Sequence, residues 1–167
     1  GIDLGLKTFA VLSDGSIFEK PKHLKESLNK IKWLQKQLSR KKKDSNRREK
    51  ARRRLAKAHE KVASQRKDFL HKVSYAITTQ YDTICMEDLK VRNMLKNHKL
   101  AKAISDVSWG MFRTFVEYKA EWKGKNFLLC GTFKPSSKRC SECGYVNKHL
   151  TLATREWICE SCGMHHD

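Results

Sequence analysis

Two stretches of the chain repeat apolar residues at the period of a helix. Leu24, Leu28, Ile31, Leu34 and Leu38 follow one another at spacings of 4, 3, 3 and 4, one helical stripe. Ala51, Leu55, Ala58, Val62, Phe69 and Val73 form a second stripe at 4, 3, 4, 7 and 4. Between them, Asp44-Ser45-Asn46 competes with helical hydrogen bonding and suits a connection. The pattern predicts an antiparallel helical hairpin over about 24–42 and about 47–80.

Strand-like patterns flank this hairpin. Gly1–Leu12 reads as one strand, closed by the turn signal Ser13-Asp14-Gly15-Ser16, with Ile17 and Phe18 starting the return. Tyr81–Leu89 reads as a short buried strand whose carboxylates, Glu87 and Asp88, come only at its C-terminal end. Lys90–Lys102 is basic and irregular. Ser105 suits the cap of a helix over about 106–123, with Trp109, Phe112, Phe115, Val116 and Ala120 inward and Gly124 as its stop. Asn126–Phe133 reads as a last strand. The element order predicts an α/β domain with the hairpin, residues 22–80, as an insertion.

Charge sharpens this picture. The 167 residues carry a formal net charge of +18, and residues 20–72 alone hold 21 basic and 5 acidic side chains. A solvated coiled-coil arm would mix the two signs. An excess confined to one hairpin repels itself unless a polyanion lies against it, which points to nucleic acid. No apolar run approaches the roughly 18 residues of a membrane span, and no secretion signal is present, so a cytoplasmic protein is expected.

The strongest local motif is a pair of knuckles, Cys140-Ser-Glu-Cys143-Gly and Cys159-Glu-Ser-Cys162-Gly, separated by fifteen residues. That spacing suits a closed structural zinc site of four thiolates in a reducing compartment, rather than disulfides. Cys85 and Cys130, in apolar strands, are expected in the core. His149, His165 and His166 offer spare ligands, but with four thiolates in place they are expected as surface or nucleic-acid-facing groups. Trp157, beside the second knuckle, can stack on a base or pack under the metal site.

The carboxylates are the weaker signal. Asp3 sits between Ile2 and Leu4, where an ionised group is costly unless paired, and Glu87-Asp88 ends a strand of the same apolar kind. Two such strands side by side would bring hard oxygen ligands together for magnesium. Alternatively, each acid simply caps a turn.

Read in order, Gly1-Ile2-Asp3-Leu4-Gly5, the basic hairpin, Ile84–Leu89, Ser105-Asp106-Val107-Ser108-Trp109-Gly110, Glu117–Ala120 and the two knuckles resemble the C-terminal half of TnpB proteins. These are insertion-sequence nucleases similar to type V CRISPR effectors. The resemblance implies an RNase H-like (RuvC) mixed-sheet nuclease core over 1–135, a zinc ribbon over 136–164, and the start of a last nuclease motif at 165–167. It implies RNA-guided cleavage of DNA with Mg²⁺ or Mn²⁺. Asp3 matches the first catalytic carboxylate, and Glu87, rather than Asp88, the second. Cys140, Cys143, Cys159 and Cys162 match the zinc ligands. DNA and guide RNA are the implied partners of the hairpin and ribbon. The family's third carboxylate falls in a stretch of which Asp167 resembles only the first residue, so this segment alone is expected to bind nucleic acid without cutting it. A non-catalytic zinc-ribbon binder, or a transposon accessory protein that has lost the chemistry, are the competing expectations.

Overall fold

The strand expected over Gly1–Leu12 breaks in two at Gly5. In this computed structural model, which describes residues 1–131, 138–150, 154 and 156–166, Ile2–Leu4 forms β1 and Ala10–Leu12 forms β2. The two pair antiparallel, Ile2 opposite Leu12 and Asp3 opposite Val11. A Cβ on Gly5 would stand 2.7 Å from the Thr8 carbonyl oxygen, so this tight connection admits only glycine. The Gly5 N–H donates to the Phe9 carbonyl at 3.2 Å, and Phe9 is thereby delivered to the core at 1% exposure.

Ile17–Phe18 (β3) returns beside β2. The chain then enters α1 (Lys22–Ser39) and α2 (Asn46–Gln80). Ser45 caps α2, its side chain accepting from the Arg48 N–H at 3.2 Å. The two helices run antiparallel with Ile31, Leu34 and Val62 buried between them, and Ser27 hydrogen-bonds Gln65 at 2.9 Å. Beyond this seam α2 changes partner, and Leu70, Val73 and Ile77 turn into the core of the sheet. β4 (Thr83–Glu87), α3 (Val91–Met94), α4 (Ala101–Val107), α5 (Trp109–Trp122) and β5 (Asn126–Cys130) complete this unit. The helix expected over 106–123 is therefore two helices, and Ser105 lies inside the first rather than capping it. Ser108 adopts φ +55°, which ends α4 and redirects the chain into α5.

The sheet order is β3-β2-β1-β4-β5, antiparallel through β3, β2 and β1 and parallel through β1, β4 and β5. Its inner face presents Ile2, Ala10, Leu12, Ile84 and Met86 to Val73 and Ile77 of α2 and to Phe112 and Val116 of α5. Phe9 meets Phe69 and Phe112 edge-on at centroid distances of 4.9 and 5.0 Å. Alternation sends Asp3, Val11, Cys85, Glu87, Leu128 and Cys130 to the opposite face. That face is open among the described residues, so Cys85 is only half-buried and Cys130 is exposed, not core as expected. Their sulfurs lie 3.0 Å apart.

Residues Gly131–Asp167 form a second compact unit. It holds an isolated bridge between Arg139 and Val146, and an antiparallel pair of β6 (Trp157–Ile158) and β7 (His165–His166). The expected strand residues Thr132 and Phe133, Asp167, and the side chain of Leu24 lie outside the described residues. Among the described residues no helix is long and apolar enough to cross a membrane.

Candidate metal centres

Each knuckle sits in the bend of one β-pairing of the second unit. The Cys140 N–H donates to the Tyr145 carbonyl at 2.7 Å and the Gly144 N–H returns to the Cys140 carbonyl at 3.0 Å. The second knuckle repeats this with Cys159, Met164 and Gly163, both bonds at 2.8 Å. Gly144 and Gly163 each have φ +74°, a conformation that glycine adopts without a Cβ clash. The result brings the sulfurs of Cys140, Cys143, Cys159 and Cys162 within 4.8 Å of one another. Such a cluster could hold a metal ion such as zinc.

The local electrostatics favour a cation here. The Tyr145 backbone N–H is the chief cause that brings the Cys143 thiol down to about 6, against opposing burial. Cys140 is lowered mainly through the Cys143 backbone, with help from His166. Cys162 is pushed up to about 12: the Met164 N–H lowers it, but the neighbouring thiols of Cys140, Cys143 and Cys159, with burial, outweigh that bond. Four thiolates so crowded repel one another unless a cation stands between them. His166 stacks on Trp157 at 4.6 Å and brings Nε2 to 3.2 Å from the Cys140 sulfur. Trp157 thus packs beside the cluster. His165 is exposed, 3.6 Å from Glu156, and His149 is exposed.

In the first unit, Ile2 pairs with Met86 in parallel register. Both side chains are buried on the inner face, at 6% and 2% exposure, so the next residues, Asp3 and Glu87, share the open face of adjacent strands. Neighbouring strands lie about 4.8 Å apart, within reach of a shared ion. Asp3 is exposed, so the burial cost anticipated from its apolar neighbours does not arise. Asp88 is held elsewhere. It accepts from Arg113 of α5 at 2.7 Å and from Lys90, and its N–H donates to the Cys130 carbonyl at 3.0 Å. The Lys90 hydrogen bond is the main cause that lowers its carboxyl below the usual range. Among the described residues no third acid or histidine joins Asp3 and Glu87. Arg113 carried no signal in the sequence, because only the fold brings it to Asp88.

Comparison with known proteins now places the chain. Residues 1–98 match the OrfB_IS605 family model, described as a probable transposase, and residues 109–167 match the TNB domain of Cas12f1-like proteins. The first match covers more than half of the chain, so the chain belongs to this transposase family. Within it, the chain is of the TnpB type. It is 43% identical over its whole length to a Streptomyces pristinaespiralis protein named "Putative RNA-guided DNA endonuclease". It is 34% identical over 96% of its length to InsQ of Escherichia coli K12, similarly named, and 28% identical over 74% to TnpB-like protein L79 of Acanthamoeba polyphaga mimivirus. The chain spans 41% and 43% of the first two relatives' lengths.

Proposed function

We propose that this chain is the nuclease portion of a transposon-encoded, RNA-guided DNA endonuclease with an RNase H-like (RuvC) core. The parallel register that aligns Asp3 with Glu87 carries the reading. The β3-β2-β1-β4-β5 order, three antiparallel strands continued by two parallel ones, supports it. Asp3 and Glu87 are the residues that would hold Mg²⁺ or Mn²⁺, and hard oxygens on an open face suit such ions. Bound there, a divalent ion supplies charge neutralisation at the scissile phosphate and an acidified water. Asp88, tied to Arg113 and Lys90, fixes the end of β4 and so the direction of Glu87. The basic faces of α1 and α2 hold the guide–target duplex by its backbone, which needs charge and shape rather than base readout. Cys140, Cys143, Cys159 and Cys162 bind structural zinc.

A full-length protein carrying this nuclease portion, with guide RNA, is expected to cut matching DNA in Mg²⁺. Asp3→Ala and Glu87→Ala should each reduce cleavage on the order of a hundredfold or more, given the several kcal/mol that such an ion contributes. Cleavage by Asp3→Ala at the parent rate overturns the assignment. The count of two acids among the described residues favours a second reading, a nucleic-acid binder without cleavage. Binding of target DNA with no cutting in either Mg²⁺ or Mn²⁺ would select it.

A further inference from the structure

The outer seam between α2 and α5 is lined by a run of rings, of which only Phe115 packs against the core. His71 stacks on Phe115 at 4.0 Å, Phe115 meets Tyr118 edge-on at 5.9 Å, and Tyr118 meets Trp122 at 4.7 Å. Tyr75, one turn beyond His71 on α2, is reached across the seam by Lys123 of the α5 C-terminus. The run ends in solvent at Trp122, 80% exposed, and Tyr75 beside Lys123 is 60% exposed. A packing role accounts for His71 and Phe115. It does not account for two large rings, Trp122 and Tyr75, left in water.

Lysines are set among these rings. Lys123 holds its Nζ 4.1 Å from the Tyr75 ring centroid and 2.5 Å from the Thr79 hydroxyl. The Lys119 Nζ donates to the His71 carbonyl and the Ser74 hydroxyl, each at 2.7 Å, and lies within 6.0 Å of the Tyr118 ring. The nearby acids do not cancel this charge. Asp68 is engaged by Lys72 at 2.7 Å, Asp82 by Lys125, and Glu121 projects about 100° round the helix from Trp122.

We infer that Tyr75 and Trp122, with Lys119 and Lys123, form a stacking platform for an unpaired nucleic-acid strand. This site is separate from the basic hairpin seam and from the Asp3–Glu87 pair, and the inference rests on the reading of the protein as a nucleic-acid enzyme. Exposed rings offer a surface to any base, while the lysines between them meet the phosphates that follow. A duplex cannot use such rings, because its bases already stack on one another. The shared chemistry is that of single-stranded DNA and RNA.

The test is fluorescence anisotropy of labelled oligothymidylate, oligouridylate and a mixed-sequence DNA duplex, with the parent and three variants. Trp122→Ala and Tyr75→Ala should each weaken single-strand binding by roughly fivefold to a hundredfold, as expected for loss of one stacked base. Trp122→Phe, which keeps a ring, should recover most of the loss, and duplex binding should be unchanged in all three. Loss in the thymidylate arm, the uridylate arm or both supports the platform and tells which strand it takes. Parental single-strand affinity in both alanine variants overturns it and leaves the rings as a contact for protein. Failure of the wider reading looks different, because the parent itself would then bind neither single strand nor duplex.

Discussion

His71 shows how one side chain can tie packing to pH. Burial against Phe115 is the main cause that lowers its pKa from 6.5, Lys119 and Lys67 add to this, and Asp68 opposes them. The Tyr118 hydroxyl lies 3.4 Å from its Nδ1. The fold thus favours the neutral ring. That stability is fully present above the unfolded value near 6.5 and is lost as pH falls through the lower folded value. An NMR titration of His71 should find its midpoint below 6.5, with the Phe115 ring signals shifting over the same range. A midpoint at or above 6.5 would show that the stack does not hold the neutral form. No periodicity announces this contact, since His71 and Phe115 lie on different helices. The four cysteines were legible because their chemistry is written in local spacing. Asp3 and Glu87 were legible as acids on strands expected side by side, but the register that puts them on one face was not, and Asp88 is set apart by Arg113 and Lys90.

At the scale of elements, the hairpin was read nearly to its ends, because a long stripe of period 3.6 has few alternatives. Two breaks escaped. The link from β1 to β2 carries Leu6 and Phe9 and reads as strand, and Ser108 turns the chain without a glycine. The hairpin's charge is open to a direct test. Arg54, Lys57 and Lys61 are exposed, recur at i, i+3 and i+7, and among the described residues make no ion pair. Arg52 and Arg53 are different, since Glu49 takes a hydrogen bond from each at 2.8 and 3.1 Å. Replacing Arg54, Lys57 and Lys61 together by Gln should weaken duplex binding. It should also flatten the plot of log affinity against log salt by about 2 to 3, near 0.9 for each phosphate no longer neutralised. An unchanged slope would remove that face of α2 from the surface that meets nucleic acid.

For the whole molecule, the two units stand on different physical footings. The first buries a contiguous apolar cluster from Ile2 to Ala120 that packs the sheet against α2 and α5. In the second, the buried residues among those described are Cys140, Cys159 and Asn147, two of them members of the thiol cluster. So small a unit does not recover its chain entropy from apolar burial, and the remaining source of free energy is metal–thiolate bonding. This asymmetry follows from composition: Gly131–Asp167 is poor in aliphatic residues and rich in turn residues around its four cysteines. Purified protein should therefore carry one zinc per chain. A strong chelator, or Cys143→Ser, should collapse the amide resonances of 138–166 toward random-coil shifts while those of Ile2–Cys130 stay in place. The collapse should reverse when Zn²⁺ is returned to the chelated protein, whereas Mg²⁺, which takes oxygen ligands, should not restore it. If the metal-free second unit keeps dispersed resonances, its fold has another source of stability, and the thiol cluster loses its structural role.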